Sequence, residues 1–313
     1  MAGSTPATKP AAVPKAGVKT PGVQIPFGNL KPEVELPASA EWVFAGDAVF
    51  VPDEPGLQRI DVKSNKSEKI TAEVKNACGG MVSAFRSLWV PSCADSTLSR
   101  IDPKTSKVTA TIPAKPANVP GAIAASSDSV WVLTSTERIA RVDPDQNQVV
   151  AEVWVPPGCQ GLAFGETALW LACPADGKIL RINPATNVVE KRIEVSAQPD
   201  AIAVGEGSVW VLCKKDGKVD RIDPKTNKVT KSIELGIPGA SGGISVAAGS
   251  VWVTAPGFPL TRIQVESEKV VQQFYGAGGG AIQATATAIW LVNTSEKKLL
   301  RIDPKRVVAT LAE

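Results

Sequence analysis

The stretch Gly207-Ser208-Val209-Trp210-Val211, followed ten residues later by Arg221-Ile222-Asp223-Pro224, decides the fold because the chain carries seven versions of it. The tryptophan position of the repeat is occupied by Phe50, Trp89, Trp131, Trp170, Trp210, Trp252 and Trp290. The arginine position is occupied by Arg59, Arg100, Arg141, Arg181, Arg221, Arg262 and Arg301, with spacings of 39 to 41 residues. A period this regular predicts seven copies of one supersecondary unit.

Each copy has the pattern of four short strands. In residues 199–235, β-branched and alternating runs are separated by turn sequences such as Gly205-Glu206-Gly207 and Pro224-Lys225-Thr226-Asn227. No copy has the 3.6-residue period of a helical repeat. A four-stranded sheet cannot bury both of its faces alone, whereas seven sheets packed radially can. The sequence therefore predicts an all-β fold, a seven-bladed β-propeller of four-stranded antiparallel blades.

The repeats also predict the boundaries of the blades, although the closure of the ring stays open. We expect the blades at about residues 40–75, 78–112, 120–155, 160–195, 199–235, 241–275 and 280–312. Two segments have the pattern of the outermost strand of the last blade, residues 33–37 and residues 306–311. One of them is expected to be that strand.

The N-terminal segment differs in composition from the repeats. Residues 1–22 consist mainly of alanine, proline, threonine, lysine and glycine and contain no acidic residue. Such a stretch buries too little apolar surface to offset its ordering entropy. We therefore expect residues 1–30 to form a disordered tether and residues 31–313 to form the propeller. Lys9, Lys15 and Lys19 account for the whole net charge of +3, so the repeats offer no basic stripe for nucleic acid.

Four of the five cysteines occupy matched positions in two repeats. Cys78 and Cys159 each lie eleven residues before a repeat tryptophan, and Cys93 and Cys173 lie four and three residues after one. Antiparallel pairing of the first two strands places these positions side by side. We therefore predict the disulfides Cys78–Cys93 and Cys159–Cys173.

The fifth cysteine, Cys213, is expected to be a free, buried thiol, because Pro199 occupies its partner's position. The chain contains no histidine. This composition excludes a Cys/His metal site and a Cys–His nucleophile.

The predicted disulfides also bear on location, because disulfides persist in oxidising compartments. No apolar run approaches the ~20 residues of a transmembrane helix, and the chain begins without the apolar core of a signal peptide. We therefore expect a periplasmic or extracellular, monomeric protein from which a signal peptide has been removed.

Candidate ligand-binding residues lie in the loops that gather around one mouth of the central channel. These loops join the fourth strand of one blade to the first of the next, or the second strand to the third. They supply a mixture of charges and amides suited to a small polar ligand or a peptide. The predicted binding residues are Asp53, Asn76, Gln160, Asp200, Lys214, Ser241 and Asn293.

The string Gly-Ser-Val-Trp-Val, followed by Arg-Ile-Asp-Pro-x-Thr-x-x-Val, resembles the YVTN-type and virginiamycin B lyase-like seven-bladed propellers over residues 33–313. The resemblance implies the propeller fold. The lyases of that group use two histidines, a glutamate and Mg²⁺. The matching positions here are Gly242, Ala255 and Gly280, so the catalytic groups are absent.

Three functional hypotheses follow. The preferred one is an exported binding or interaction module, not an enzyme, that uses the channel mouth and needs no cofactor. The alternative is a lyase or lactone hydrolase in which carboxylates such as Asp53, Glu54 or Asp200 converge on Mg²⁺ or Ca²⁺. A purely structural role, through the outer strands and the N-terminal tether, is the third.

Overall fold

The computed structural model describes residues 16–38, 40–53, 56–70, 74, 76–239 and 241–310. These residues form seven sheets arranged in a ring, which confirms the predicted propeller. The strands of blades one to three are Phe44–Ala45, Ala48–Asp53, Gly56–Asp61 and Ser67–Ile70, then Val82–Ala84, Ser87–Ser92, Thr97–Ile101 and Val108–Pro113, then Ile123–Ala125, Val130–Leu133, Arg138–Asp143 and Gln148–Trp154. Within each blade the strands pair antiparallel in chain order.

Blades four and five repeat this order, and blades six and seven each borrow a strand from the N-terminal segment. The strands of blades four and five are Gln160–Gly165, Ala168–Cys173, Lys178–Asn183 and Val188–Glu194, then Pro199–Gly205, Ser208–Cys213, Lys218–Asp223 and Lys228–Glu234. Those of blades six and seven are Ile244–Ala247, Ser250–Ala255, Phe258–Gln264 and Lys269–Tyr275, then Ile282–Ala284, Ile289–Asn293 and Lys298–Ile302. Within the described residues, no helix is long and apolar enough to cross a lipid bilayer.

Of the two segments that could form the outermost strand of blade seven, the N-terminal one closes the ring. Val34–Pro37 pairs antiparallel with Lys298–Ile302 and forms the outermost strand of blade seven. The other candidate, residues 306–311, is not a strand over its described part, because Pro304–Ala309 forms an α-helix. Asp303 caps this helix by accepting a hydrogen bond from the Lys305 amide, and Pro304 presets the first helical turn.

The expected tether over residues 1–30 needs correction in its second half. Gln24–Pro26 adds in parallel to the outer strand of blade six, and Phe27–Asn29 continues as one turn of 3-10 helix. Val23, Ile25 and Leu30 are buried, and the last two pack against the core between blades six and seven. These few apolar side chains fix the segment although its composition is poor in them. Residues 1–15 lie outside the described residues, so disorder there stays a prediction.

The hydrophobic core is divided into seven clusters, and each lies between two successive blades. The first strands of successive blades contact one another, so these strands surround the central channel. Phe50 and the six repeat tryptophans are at most 3 % exposed and pack toward the following blade. The repeat aromatic residue therefore fills the space between successive blades.

The repeat arginine connects each blade to the next. It lies opposite the repeat tryptophan in the sheet, with the guanidinium 4.9 to 5.7 Å from the ring centroid in five blades. Its terminal nitrogen reaches the turn between the third and fourth strands of the following blade. The acceptor there has a positive φ, and the pairs are Arg100–Asn147 at 3.0 Å, Arg141–Asn187 at 3.3 Å, Arg181–Asn227 at 3.0 Å, Arg221–Glu268 at 2.7 Å and Arg301–Asn65 at 2.7 Å.

Two arginines lack this contact, for identifiable reasons. Arg59 donates to Glu68 of its own blade at 2.7 Å, because blade two carries the shorter Ser106 at the acceptor position. Arg262 faces blade seven, whose fourth strand comes from the N-terminal segment, so the usual turn does not exist there. Instead Gln272 donates to the carbonyl groups of Val307 and Thr310 at the end of the helix.

In five blades the turn between the third and fourth strands is held by a short side-chain acceptor. Asp61, Asp102, Asp143 and Asp223 accept backbone N–H bonds from residues two or three positions ahead, and Asn183 does the same in blade four. Hydrogen bonds from those amides lower the pKa of the four carboxyl groups below the ordinary value. The turns are therefore built on charged carboxylates in four blades and on an amide in one.

We predict that Asn227→Gly weakens the contact between blades four and five. Glycine tolerates the positive φ of this residue, so the variant removes chiefly the bond from Arg181. The free energy of unfolding, measured by chemical denaturation, should fall by about 1.5–3 kcal/mol. Ser106→Gly is the matched control, because no repeat arginine reaches that turn, and it should cost much less. Equal losses in the two variants would contradict the role of the arginine.

We also predict that the four aspartate turns make stability depend on pH in acid. Because the folded pKa of each is lowered, the turns stabilise the fold above the unfolded value of about 4. That contribution is lost as the pH falls through the folded pKa. A variant with asparagine at Asp61, Asp102, Asp143 and Asp223 keeps the acceptors, as Asn183 does, and should show a flatter dependence of Tm on pH below about 4. An unchanged profile would refute this origin.

Candidate functional site

The predicted binding residues all lie at the ends of strands or in the loops on one side of the ring. Loops from a fourth to a first strand, and from a second to a third strand, meet there because each blade alternates direction. Three of the seven predicted residues, Gln160, Asp200 and Lys214, are joined to one another. The other four are separate from this group.

Asp200 is the centre of this group. The Gln160 side-chain amide donates to Oδ1 of Asp200 at 2.9 Å and to its carbonyl oxygen at 3.2 Å. The Lys214 ammonium lies 3.2 Å from the same Oδ1. We call Gln160, Asp200 and Lys214 the mouth cluster. It joins the innermost strands of blades four and five to the loop that follows the second strand of blade five.

Local irregularity in two strands positions the mouth cluster. The register between the first two strands shifts after Gln160 in blade four and around Asp200 in blade five. Such bulges turn a side chain out of the regular alternation. Blade four also anchors Gln160 covalently, since Cys159 immediately before it is bonded to Cys173.

Further carboxylates hold the loop that leads into blade five. The Ser196 amide donates to Asp220 at 2.6 Å, and the Ala197 amide donates to Asp216 at 2.6 Å. Asp220 is only 1 % exposed, and the Ser196 amide and hydroxyl, which both donate to it, offset the cost of removing its side chain from water. The backbone on one side of Asp200 is therefore fixed by two charged acceptors.

Three other predicted residues are surface groups with separate contacts. Asp53 is partly exposed and pairs with Lys69 at 3.4 Å, in blade one. Asn76 is exposed, has a positive φ and accepts the Cys93 amide through its carbonyl oxygen. Ser241 is exposed in the loop between blades five and six. The structure does not bring any of them to the mouth cluster.

Asn293 is buried and supports the loop before blade seven. Its side-chain amide donates to the Ala277 carbonyl at 3.3 Å, and its Oδ1 accepts the Glu296 amide at 3.2 Å. It is 0 % exposed. Its polar atoms are therefore used within the protein, where they hold the glycine-rich loop.

Both predicted disulfides are present. Cys78–Cys93 and Cys159–Cys173 have Cα separations of 5.9 and 4.1 Å. Cys213 is a buried free thiol opposite Pro199, as predicted. Burial, together with the neighbouring Asp220 carboxylate, raises the pKa of this thiol far above its ordinary value. The thiol therefore stays protonated and is a poor nucleophile.

The positions that match the lyase machinery leave no room for it. A Cβ atom at Gly242 would overlap the carbonyl oxygen of Thr254, and one at Gly280 would lie 2.5 Å from the carbonyl oxygen of Val292. Both contacts are with backbone, so a side chain requires the strands themselves to shift. Thr254 closes the gap further by donating to the Gly280 carbonyl and accepting from the Gly243 amide. The backbone here is built around glycine.

The carboxylates of the alternative hypothesis do not converge. Asp53 and Asp200 pair with different lysines in blades one and five, and Glu54 lies outside the described residues. Over the part of the chain that the structure describes, no group of three or more acidic or cysteine side chains is arranged to hold a metal ion.

Sequence analysis missed several residues with unusual environments. Asp220 is the one charged residue at its strand position, where the other blades carry Gln58, Ser99, Ala140, Leu180, Thr261 and Leu300. Trp154 stands outside the tryptophan position of the repeat and is 66 % exposed. In both cases the available signal was a departure from the residue type that other copies carry at the same position.

Comparison with known proteins supports the architecture. No protein-family model and no curated protein matches the sequence. The structure is similar to that of streptogramin B lyase, with 15 % identity over 85 % of this chain and 94 % of that chain and a TM-score of 0.68. It is also similar to Kuenenia stuttgartiensis hydrazine synthase (15 % identity, 75 % and 78 % of the two chains, TM-score 0.63) and to a chain of a mitotic checkpoint complex (11 %, 96 % and 99 %, TM-score 0.74). These likenesses confirm the fold that the resemblance to virginiamycin B lyase-like propellers implies.

We predict that alkylation without reduction, under denaturing conditions, adds one label, at Cys213, and that reduction exposes all 5 cysteines. Replacing Cys159 and Cys173 by serine should lower the free energy of unfolding by up to about 3 kcal/mol, because the disulfide closes a loop of about 15 residues. Intact mass and chemical denaturation measure the two effects. Uptake of more than one label before reduction would contradict the pairing.

Proposed function

We propose that the protein is an exported binding module, periplasmic or extracellular, that recognises a small polar ligand or a peptide at the channel mouth. The mouth cluster of Gln160, Asp200 and Lys214 is its recognition group. Two disulfides favour an oxidising compartment, where such bonds persist.

One observation carries this proposal. Asp200 is 9 % exposed, yet it is a carboxylate at the edge of the channel and is paired with both an amide and an ammonium group. Burying a charge costs free energy unless it is paired, and a well-packed apolar residue would stabilise a strand end at least as well. Convergent, pre-organised polar groups at the mouth of a concave fold are typical of ligand sites.

The mouth cluster leaves hydrogen-bond donors available to a ligand. Lys214 is 29 % exposed, and its ammonium group has three donor hydrogens, of which the bond to Asp200 uses one. Asp200 holds the ammonium in place and thereby reduces the entropy that a ligand must overcome on binding. The ligand that fits carries oxygen acceptors, as a carboxylate or a peptide carbonyl group does.

A thermal-shift screen with amino acids, dicarboxylates, sugars and short peptides tests this function. We predict that at least one compound raises the Tm of the wild-type protein. Lys214→Ala should abolish that shift, because it removes the donor that faces the ligand.

Lys218→Ala is the matched control. It removes the same charge four residues further on, at the start of the third strand of blade five, but Lys218 pairs with Glu234 on the outer strand at 3.0 Å and not with the mouth cluster. The rise in Tm that the compound causes in Lys218→Ala should equal the rise in the wild-type protein. A shift that survives Lys214→Ala, or a screen in which no compound stabilises the protein, would overturn the proposal.

A further inference from the structure

Trp154 is the one tryptophan that is not used to fill the space between blades. It ends the outermost strand of blade three and is 66 % exposed, whereas the other seven tryptophans are at most 9 % exposed. A tryptophan ring offers a large apolar area together with a polar N–H group, and tryptophan is enriched at interfaces.

The fold does not require a tryptophan at this position. Trp154 lies opposite Arg138, and the equivalent pairs in blades four and five are Lys178 with Glu194 and Lys218 with Glu234. A lysine–glutamate pair therefore satisfies the same position elsewhere in the ring. Packing between blades therefore does not explain the tryptophan at this position.

Arg138 fixes the indole ring and leaves one face open. Its guanidinium carbon lies 4.0 Å from the ring centroid of Trp154, and its Nη1 donates to Glu152 at 2.7 Å. The charge of Arg138 is thus paired, while the stacked arrangement holds the ring in one orientation. A fixed aromatic platform loses little conformational entropy when a ligand binds to it.

A cleft between the end of the outer strand of blade two and blade three shares two residues with the support of this platform, although Trp154 itself does not line it. It encloses a cavity of about 450 Å³, within the range of small-ligand sites. Arg138 and Glu152 belong both to its lining and to the support of Trp154. The cleft is also lined by Pro113, Lys115, Thr134 and Thr136.

We propose that Trp154 and this cleft form a second binding site, distinct from the channel mouth, for a neutral oligosaccharide. The C–H face of a sugar ring matches the negative face of an aromatic ring. The adjoining lining supplies hydroxyl groups and a carboxylate that can pair with sugar hydroxyls. The ion pair between Arg138 and Glu152 neutralises these two charges, and the Lys115 ammonium group in the lining can donate hydrogen bonds to sugar hydroxyls.

An extended peptide fits the cleft less well. Peptides that add to a sheet edge gain specificity from apolar pockets for alternate side chains, and the lining here is mixed in polarity around one cavity. A single aromatic ring with hydroxyl and charged groups near one end can accommodate one or two stacked sugar rings.

Titration with cellohexaose, chitohexaose and maltohexaose, followed by tryptophan fluorescence and calorimetry, tests the proposal. We expect at least one of them to bind and to protect the exposed tryptophan from acrylamide quenching. Trp154→Glu recreates the pair found in blades four and five, so it should fold normally and lose about tenfold or more in affinity.

Glu194→Trp in the Trp154→Glu protein is the matched control. It places a tryptophan in the equivalent position of blade four, away from the cleft, and should not restore binding. Restored binding would show that any exposed tryptophan suffices and would overturn the site. Failure of all three sugars to bind, undiminished binding by Trp154→Glu, or preferential binding of a proline-rich peptide would also overturn the proposal. None of these results bears on Lys214, so failure here is distinguishable from failure at the channel mouth.

Discussion

The contact between successive blades is the interaction on which the rest of the structure depends. Each sheet has two apolar faces, and the only surface that can cover them is the next sheet in the ring. The repeat tryptophan fills this interface, and the repeat arginine covers the tryptophan and bonds to the left-handed residue of the next turn. A blade folded alone would lack the partners that its neighbours supply. The stability of the fold therefore comes mainly from the contacts between blades.

The same dependence explains how the N-terminal segment closes the ring. The last interface joins blade seven to blade one, where Arg301 donates to the Val62 carbonyl and to Asn65. Val34–Pro37 completes blade seven from the other end of the chain, so the two ends are held by backbone pairing. The helix Pro304–Ala309 then occupies the place of the missing turn, and Gln272 bonds to its end. The closure of the ring by the N-terminal segment is therefore also the reason why Arg262 lacks the usual contact.

The limits of prediction from sequence follow from the range of the interactions. Strands, turns and disulfides depend on patterns within one copy, and they could be predicted. The pair Arg181–Asn227 spans 46 residues and joins two copies, so it appears only when the blades are placed side by side. The choice between residues 33–37 and 306–311 was open because the Asp303 cap and Pro304 favour a helix that strand alternation does not reveal. Grouping Gln160 with Asp200 required bulges, which have no clear sequence signal.

The repeat provides an internal reference for what the fold requires at each position. Where several copies carry the same residue type, packing or turn geometry accounts for it, as it does for the buried tryptophans. Where one copy departs without gaining buried contacts, folding does not account for it. Trp154 is a departure of this kind, whereas Asp200 is a buried, paired carboxylate, and Gly242 and Gly280 are glycines that the backbone itself requires. Gly242 and Gly280 therefore lie where strands are in close contact, and the two binding sites that we propose lie in blades three, four and five.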